Sequence, residues 1–143
     1  MKKLLSFFAL AVIGAINSLA IPFFQQGTYE SDVIPGLEQQ AFIHWVDDEG
    51  GWDITGETEN TPNGDMVIIN ADGMVIAQYY IYWYACPTPD TVMLVIPINN
   101  AGNENLIRLV FDKDLQLISS EDDLVGAPLE ILAFAQRIFK RIN

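Results

Sequence analysis

The stretch Met66-Val67-Ile68-Ile69-Asn70-Ala71-Asp72-Gly73-Met74-Val75-Ile76-Ala77-Gln78-Tyr79-Tyr80-Ile81-Tyr82-Trp83-Tyr84 decides the fold. Met66 to Ile69 is a run of β-formers and predicts a strand. Asn70-Ala71-Asp72-Gly73 predicts a turn, with Asn first, Asp third and Gly fourth, where a left-handed residue closes a bulged hairpin. Met74 to Tyr84 then predicts one long return strand. Cys86-Pro87-Thr88-Pro89-Asp90 ends it, because proline cannot donate to a ladder.

Downstream, Thr91 to Ile98 predicts another strand and Asn99 to Asn105 a polar loop. Leu106 to Phe111 and Leu115 to Ser119 predict a hairpin turning at Asp112-Lys113-Asp114. In 106–112, Ile107, Leu109 and Phe111 share one side, while Arg108 and Asp112 lie on the other. That pattern marks half-burial. In 92–98, and again in 66–69 and 74–77, both sides are apolar, so these strands are expected to be covered on both faces. Pro97 implies an edge or a bulge near its strand's end.

Upstream, Gln25 to Gly36 is polar and reads as a lead-in. A short helical turn is expected at 36–40 and a strand at 41–46. Asp47 to Gly51 is a turn, Trp52 to Glu57 pairs back, and Thr58 to Asp65, with Pro62 and Asn63-Gly64, is a loop.

At the C-terminus, Ser120-Glu121-Asp122-Asp123 resembles a helix cap with acid in its first turn. Pro128 suits the start of a fresh helix. Leu129 to Ile142 then carries Ile131, Phe134, Ala135, Ile138, Phe139 and Ile142 at helical spacing. The expected fold is α+β: an antiparallel, mostly hairpin-connected sheet of about six strands with a C-terminal helix packed on one face. Gly50-Gly51-Trp52 resembles, over three residues, the Gly-x-Trp that opens the first strand of lipocalins. A small β-barrel with a helix is the alternative fold.

The chain has 143 residues, 7 Lys+Arg against 19 Asp+Glu, and a formal net charge of −12. That length fits one domain, and the apolar half of the composition excludes a disordered chain. The acidity argues against nucleic acid and against an anionic membrane surface. Met1-Lys2-Lys3, the uncharged apolar run Leu4–Ile16 and the closing Ser18-Leu19-Ala20 have the layout of a secretory signal. The expected organisation is therefore a signal peptide at 1–20 and a single acidic domain at 21–143, secreted to an extracellular or periplasmic space. Contact with a membrane is expected only where residues 1–20 are retained.

One cysteine rules out a disulfide scaffold and a cysteine-built zinc site. By strand alternation Cys86 lies at the end of the Tyr80 stripe, with no basic neighbour to activate it. It reads as a buried or semi-buried thiol, with an intermolecular disulfide as the alternative. His44, the one histidine, reads as a structural or surface residue, since no nucleophile sits in a recognisable turn. Glu59-Asn60-Thr61-Pro62-Asn63-Gly64-Asp65 faintly echoes a calcium loop, but the closing Glu is missing. No metal, cofactor or catalytic residue is assigned.

On a strand, Tyr79, Ile81 and Trp83 face one way and Tyr80, Tyr82 and Tyr84 the other. Tyrosine offers an apolar body with a polar tip, so Tyr80, Tyr82 and Tyr84 are the expected ligand-binding residues. The functional expectation is a small secreted non-enzymatic binding module for a protein or small-molecule/carbohydrate ligand. The alternatives are a hydrolase using loop carboxylates or His44, and a membrane-tethered subunit of a surface assembly.

Overall fold

A computed structural model describes residues 24–45, 62–100 and 103–143. Among these residues the chain forms β1 (Gly27–Ser31), β2 (Gln40–Trp45), β3 (Gly64–Ile69), β4 (Val75–Ile81), β5 (Trp83–Ala85), β6 (Thr91–Asn100), β7 (Asn103–Asp112), α1 (Leu129–Leu132) and β8 (Phe139–Arg141). The strands make two antiparallel sheets. One is five-stranded, in the order β4-β3-β2-β1-β8, and the other is three-stranded, in the order β5-β6-β7.

Period-two burial builds the core between the sheets. Tyr29, Ala41, Ile43, Trp45, Met66 and Ile68 turn inward from the larger sheet. Val92, Leu94, Ile96, Ile107, Leu109 and Phe111 turn inward from the smaller one. Burying each such aliphatic side chain contributes roughly 2 kcal/mol. Phe24 joins the layers, stacking on Tyr29 with ring centroids 4.5 Å apart and lying 5.9 Å from Phe111.

The antiparallel, β-rich class is as the sequence implies, but the layout differs. The sheet does not run on as one. The long strand expected over Met74–Tyr84 breaks at Tyr82, whose N–H donates to Val95 C=O at 3.2 Å in the other sheet. The buried Asn63 holds this corner. Its backbone N–H donates to Ile81 C=O at 2.7 Å, and its Nδ2 donates to Tyr82 C=O at 3.0 Å. The lead-in contains β1, which pairs with both β2 and β8. The loop expected at Asn99–Asn105 is shorter, because the β6–β7 ladder runs on to Asn100 opposite Asn103. The Asp47–Gly51 turn and the Trp52–Glu57 strand lie outside the described residues.

The C-terminal helix expected over Leu129–Ile142 stops at Leu132. Gln136 takes a left-handed φ of 68° and its N–H donates to Leu117 C=O at 2.8 Å. Phe139 then pairs with Ser31 in β8 and packs edge-on to Phe111 at 5.2 Å. The apolar spacing served a short helix, a turn and a strand in succession. At Ser120–Asp123 the expected cap forms reciprocally. The Ser120 N–H donates to Asp123 Oδ2 at 2.8 Å and the Asp123 N–H donates to Ser120 Oγ at 3.2 Å. It closes a turn rather than opening a helix, and the segment runs along the edge of β7 away from β6, where Arg108 N–H donates to Asp123 C=O.

The sheets do not close into a barrel. At one side they meet through the Tyr82 crossing. At the other they meet through Leu115–Leu117, which makes isolated bridges of Phe111 with Leu117 and of Gln116 with Ile138. The strand expected at Leu115–Ser119 is reduced to these bridges. Pro97 lies in the β6–β7 ladder opposite Leu106. Val95 turns its carbonyl to the β5 side, so by alternation Pro97 does too. Its missing N–H therefore costs β7 nothing. Two-sided cover holds for β6 but fails at 74–77: Met74, Val75 and Ile76 are exposed, because among the described residues β4 is the edge of its sheet.

Candidate functional site

Alternation turns Thr28, His44, Asp65 and Tyr80 to the outer face of the five-stranded sheet. The register places them in one cross-strand row: Thr28 opposite His44, His44 opposite Asp65, Asp65 opposite Tyr80. The neighbouring row is Glu30, Phe42, Val67 and Gln78, with Lys140 opposite Glu30.

Asp65 is the hub. Its Oδ1 lies 2.7 Å from His44 Nδ1 and its Oδ2 accepts from Gln78 Nε2 at 2.7 Å. Both carboxylate oxygens are engaged, and the side chain is 18% exposed against 46% for His44. A neutral ring that donates from Nδ1 leaves Nε2 as an acceptor. Among the described residues nothing bonds to that nitrogen. Gly64 sets the approach of β2 and β3 here, since a Cβ at that position would collide with the His44 carbonyl oxygen.

The three tyrosines fare differently. Tyr80 is 47% exposed on the outer face. Tyr82 is half-buried at the crossing. Tyr84 is buried and packs edge-on to Trp45, centroids 5.0 Å apart. Because the chain changes sheets at Tyr82, the parity that points outward on β4 points inward on β5. The structure does not bring Tyr80, Tyr82 and Tyr84 onto one face. It brings Tyr80 together with His44 and Asp65 instead.

The other sequence candidates serve the fold. Asp112 Oδ1 accepts from the N–H groups of Asp114 and Gln116 and shapes their hairpin. Asp123 pairs with Arg108 Nε at 3.0 Å. Burial raises the half-buried Cys86 thiol to about 11. Asp47, Asp48, Glu49, Glu57 and Glu59 lie outside the described residues, as do Asn60 and Thr61 of the calcium-like loop, whose Gly64 and Asp65 belong to β3. Among the described residues no group of three or more His, Cys, Asp and Glu is placed to hold a metal ion. No described helix is long and apolar enough to cross a membrane.

The Asp65–His44–Gln78 cluster was not legible beforehand. A one-residue irregularity at Ile68/Ile69 shifts the hairpin register, so that Tyr80 rather than Tyr79 stands opposite Asp65. A residue-by-residue strand pattern carries no signal for such a shift. The chain matches no protein-family model, no curated protein and no solved structure.

Proposed function

We propose that the protein is a secreted, non-enzymatic binding module that takes a neutral carbohydrate on the outer face of its five-stranded sheet. The observation that carries this reading is the exposed Tyr80 in one row with Asp65 and His44. An aromatic face stacks on the apolar face of a sugar ring. A fixed carboxylate, a carboxamide and an imidazole beside it offer both acceptors and donors to hydroxyls. The net charge of −12 disfavours sulfated or uronic ligands at a distance. Secretion rests on the Lys2-Lys3 and Leu4–Ile16 pattern at the N-terminus.

The test is titration of neutral and sulfated oligosaccharides, followed by the Tyr80 and His44 resonances. Binding of neutral sugars that is lost in Tyr80→Ala and kept in Tyr84→Phe supports the reading. Binding that survives Tyr80→Ala, or an absence of binding across the panel, ends it.

A second reading is favoured by the 2.7 Å contact between His44 and Asp65. In a hydrolase, Asp65 would orient the ring and Nε2 would take a proton from water. Turnover of an ester or glycoside that disappears in His44→Gln would establish it. A third reading, a tethered subunit of a surface assembly, requires residues 1–20 in the mature protein, and the intact mass from the native host decides that point.

A further inference from the structure

We infer that Asn63-Gly64 is a site of spontaneous modification that the fold holds closed. Once the chain unfolds, Asn63 converts to an acid, and the converted chain no longer regains the native corner at full stability. The inference stands apart from carbohydrate binding and does not depend on it.

Asn63-Gly64 is the one Asn-Gly pair in the sequence. An asparagine carboxamide is open to attack by the main-chain nitrogen that follows it. Glycine leaves that nitrogen unshielded, because it has no Cβ and its backbone turns freely. In the step, a bond forms between Gly64 N and Asn63 Cγ and the Cγ–Nδ2 bond breaks. Nδ2 leaves as ammonia, taking the proton from Gly64 N. Water then opens the cyclic imide at either of its carbonyls. One opening gives aspartate at position 63. The other gives isoaspartate, which inserts a methylene into the main chain just ahead of β3. Water is the only co-reactant.

Two separate requirements of the fold put this labile pair in place. A Cβ at Gly64 would collide with the His44 carbonyl oxygen, so that position takes glycine. Asn63 Nδ2 donates to Tyr82 C=O at 3.0 Å, so the residue before it must carry a donor. The same contacts then remove the hazard. Asn63 is buried, and its backbone N–H is held by Ile81 C=O at 2.7 Å. Gly64 is buried too, paired with Trp45 on one side and with Ile81 on the other. For the ring to close, the carboxamide must leave Tyr82 and the Gly64 nitrogen must lose its proton and turn out of the ladder. Both movements require the corner to open.

Conversion cannot be undone by refolding. A carboxylate at position 63 accepts hydrogen bonds and donates none, so it faces the Tyr82 carbonyl with nothing to offer. A buried charge without a donor costs more than the lost hydrogen bond. Isoaspartate shifts Gly64 away from its partners in β2 and β4.

The test holds the full chain, with reductant, in mildly alkaline buffer, either native or in guanidinium chloride. Conversion at position 63 is read by peptide mass spectrometry. It should be at least about tenfold slower in the native protein, because only the open fraction reacts. A smaller difference overturns the inference, and so does a denatured chain that does not convert at this site. Converted and unconverted chains from the same denatured sample are then separated by their difference in charge and returned to native buffer. Converted chains should unfold at a lower denaturant concentration than unconverted ones, or fail to refold where the unconverted ones succeed. A shared midpoint overturns the inference.

Discussion

Asn63 Nδ2 donates to the Tyr82 carbonyl at 3.0 Å, joining two residues nineteen positions apart at the corner where the chain leaves one sheet for the other. Asn63 is 2% exposed, so its carboxamide has no ready exchange with water. Its backbone N–H holds Ile81 at the same corner. A buried amide that loses its role leaves its carbonyl partner poorly solvated. Asn63→Leu should therefore destabilise the fold by about 2 kcal/mol. The check is urea denaturation, and a midpoint equal to wild type would show that the corner holds itself.

The same corner separates Tyr84 from Tyr80. Tyr84 packs edge-on to Trp45 inside the core, and Tyr80 lies in the open on the sheet's outer face. Tyr84→Ala should cost about 3 kcal/mol, the range for removing a buried aromatic ring. Tyr80→Ala should change stability by less than about 0.5 kcal/mol, as most surface substitutions do. Thermal denaturation of the two variants side by side tests this, and equal losses would contradict the crossing at Tyr82.

What was legible follows from local chemistry. The turn at Asn70–Gly73 was readable because Asn70 Oδ1 can accept from the Asp72 and Met74 N–H groups, both at 3.0 Å, while Gly73 takes a φ of 80°. The inward side of β7 was readable from the alternation of Ile107, Leu109 and Phe111 with Arg108 and Asp112. The change of sheet at Tyr82 was not, because Tyr79–Tyr84 has unbroken β propensity and the break is imposed from outside by Asn63 and Val95. The outer row of His44, Asp65 and Tyr80 depends on three strands and a bulge, so no single segment encoded it. The end of the helix was hidden because Ile131, Phe134 and Phe139 are buried at spacings that a continuous helix satisfies equally well.

Asp123 gives the fold an acid dependence. Burial raises its carboxyl, but the Ser120 N–H and hydroxyl and the Arg108 guanidinium together outweigh burial and hold it below its ordinary 3.8. A carboxyl lowered in the folded state stabilises the fold above the unfolded value. That contribution is lost as pH falls through the folded value, because the unfolded chain takes the proton first. Asp123→Asn should be less stable than wild type by about 1 kcal/mol at neutral pH. The gap should close in strong acid. Urea midpoints at neutral and acidic pH measure this, and a gap that stays constant would remove Asp123 from the account.

Cys86 should behave as an inert thiol. Burial raises it to about 11, so at pH 8 about one molecule in a thousand carries the thiolate. Native protein should alkylate slowly with iodoacetamide and denatured protein quickly, as read by mass spectrometry. Fast labelling of native protein, or a doubled mass that collapses on reduction, would mean that the thiol is reached from outside.

Gln136 tests why the C-terminal helix ends where it does. Its φ of 68° lies in the left-handed region, where a side chain crowds its own backbone. The residue is exposed, and its backbone does the structural work: the N–H donates to Leu117 C=O at 2.8 Å, and the carbonyl accepts from Gln116 Nε2 at 3.1 Å. Glycine keeps both bonds and removes the crowding, at the cost of a more flexible unfolded chain. Gln136→Gly should therefore stabilise the fold by about 0.5 kcal/mol. Gln136→Val keeps the chain length but puts a β-branched residue where the left-handed region is least tolerated, and should destabilise by more than about 1 kcal/mol. If the segment were instead free to continue as a helix, the order would reverse, because glycine is the poorer helix former of the two. The order of the two melting temperatures about the wild-type value thus separates a built left-handed turn, which leads Phe139 into β8, from a helix that merely frays.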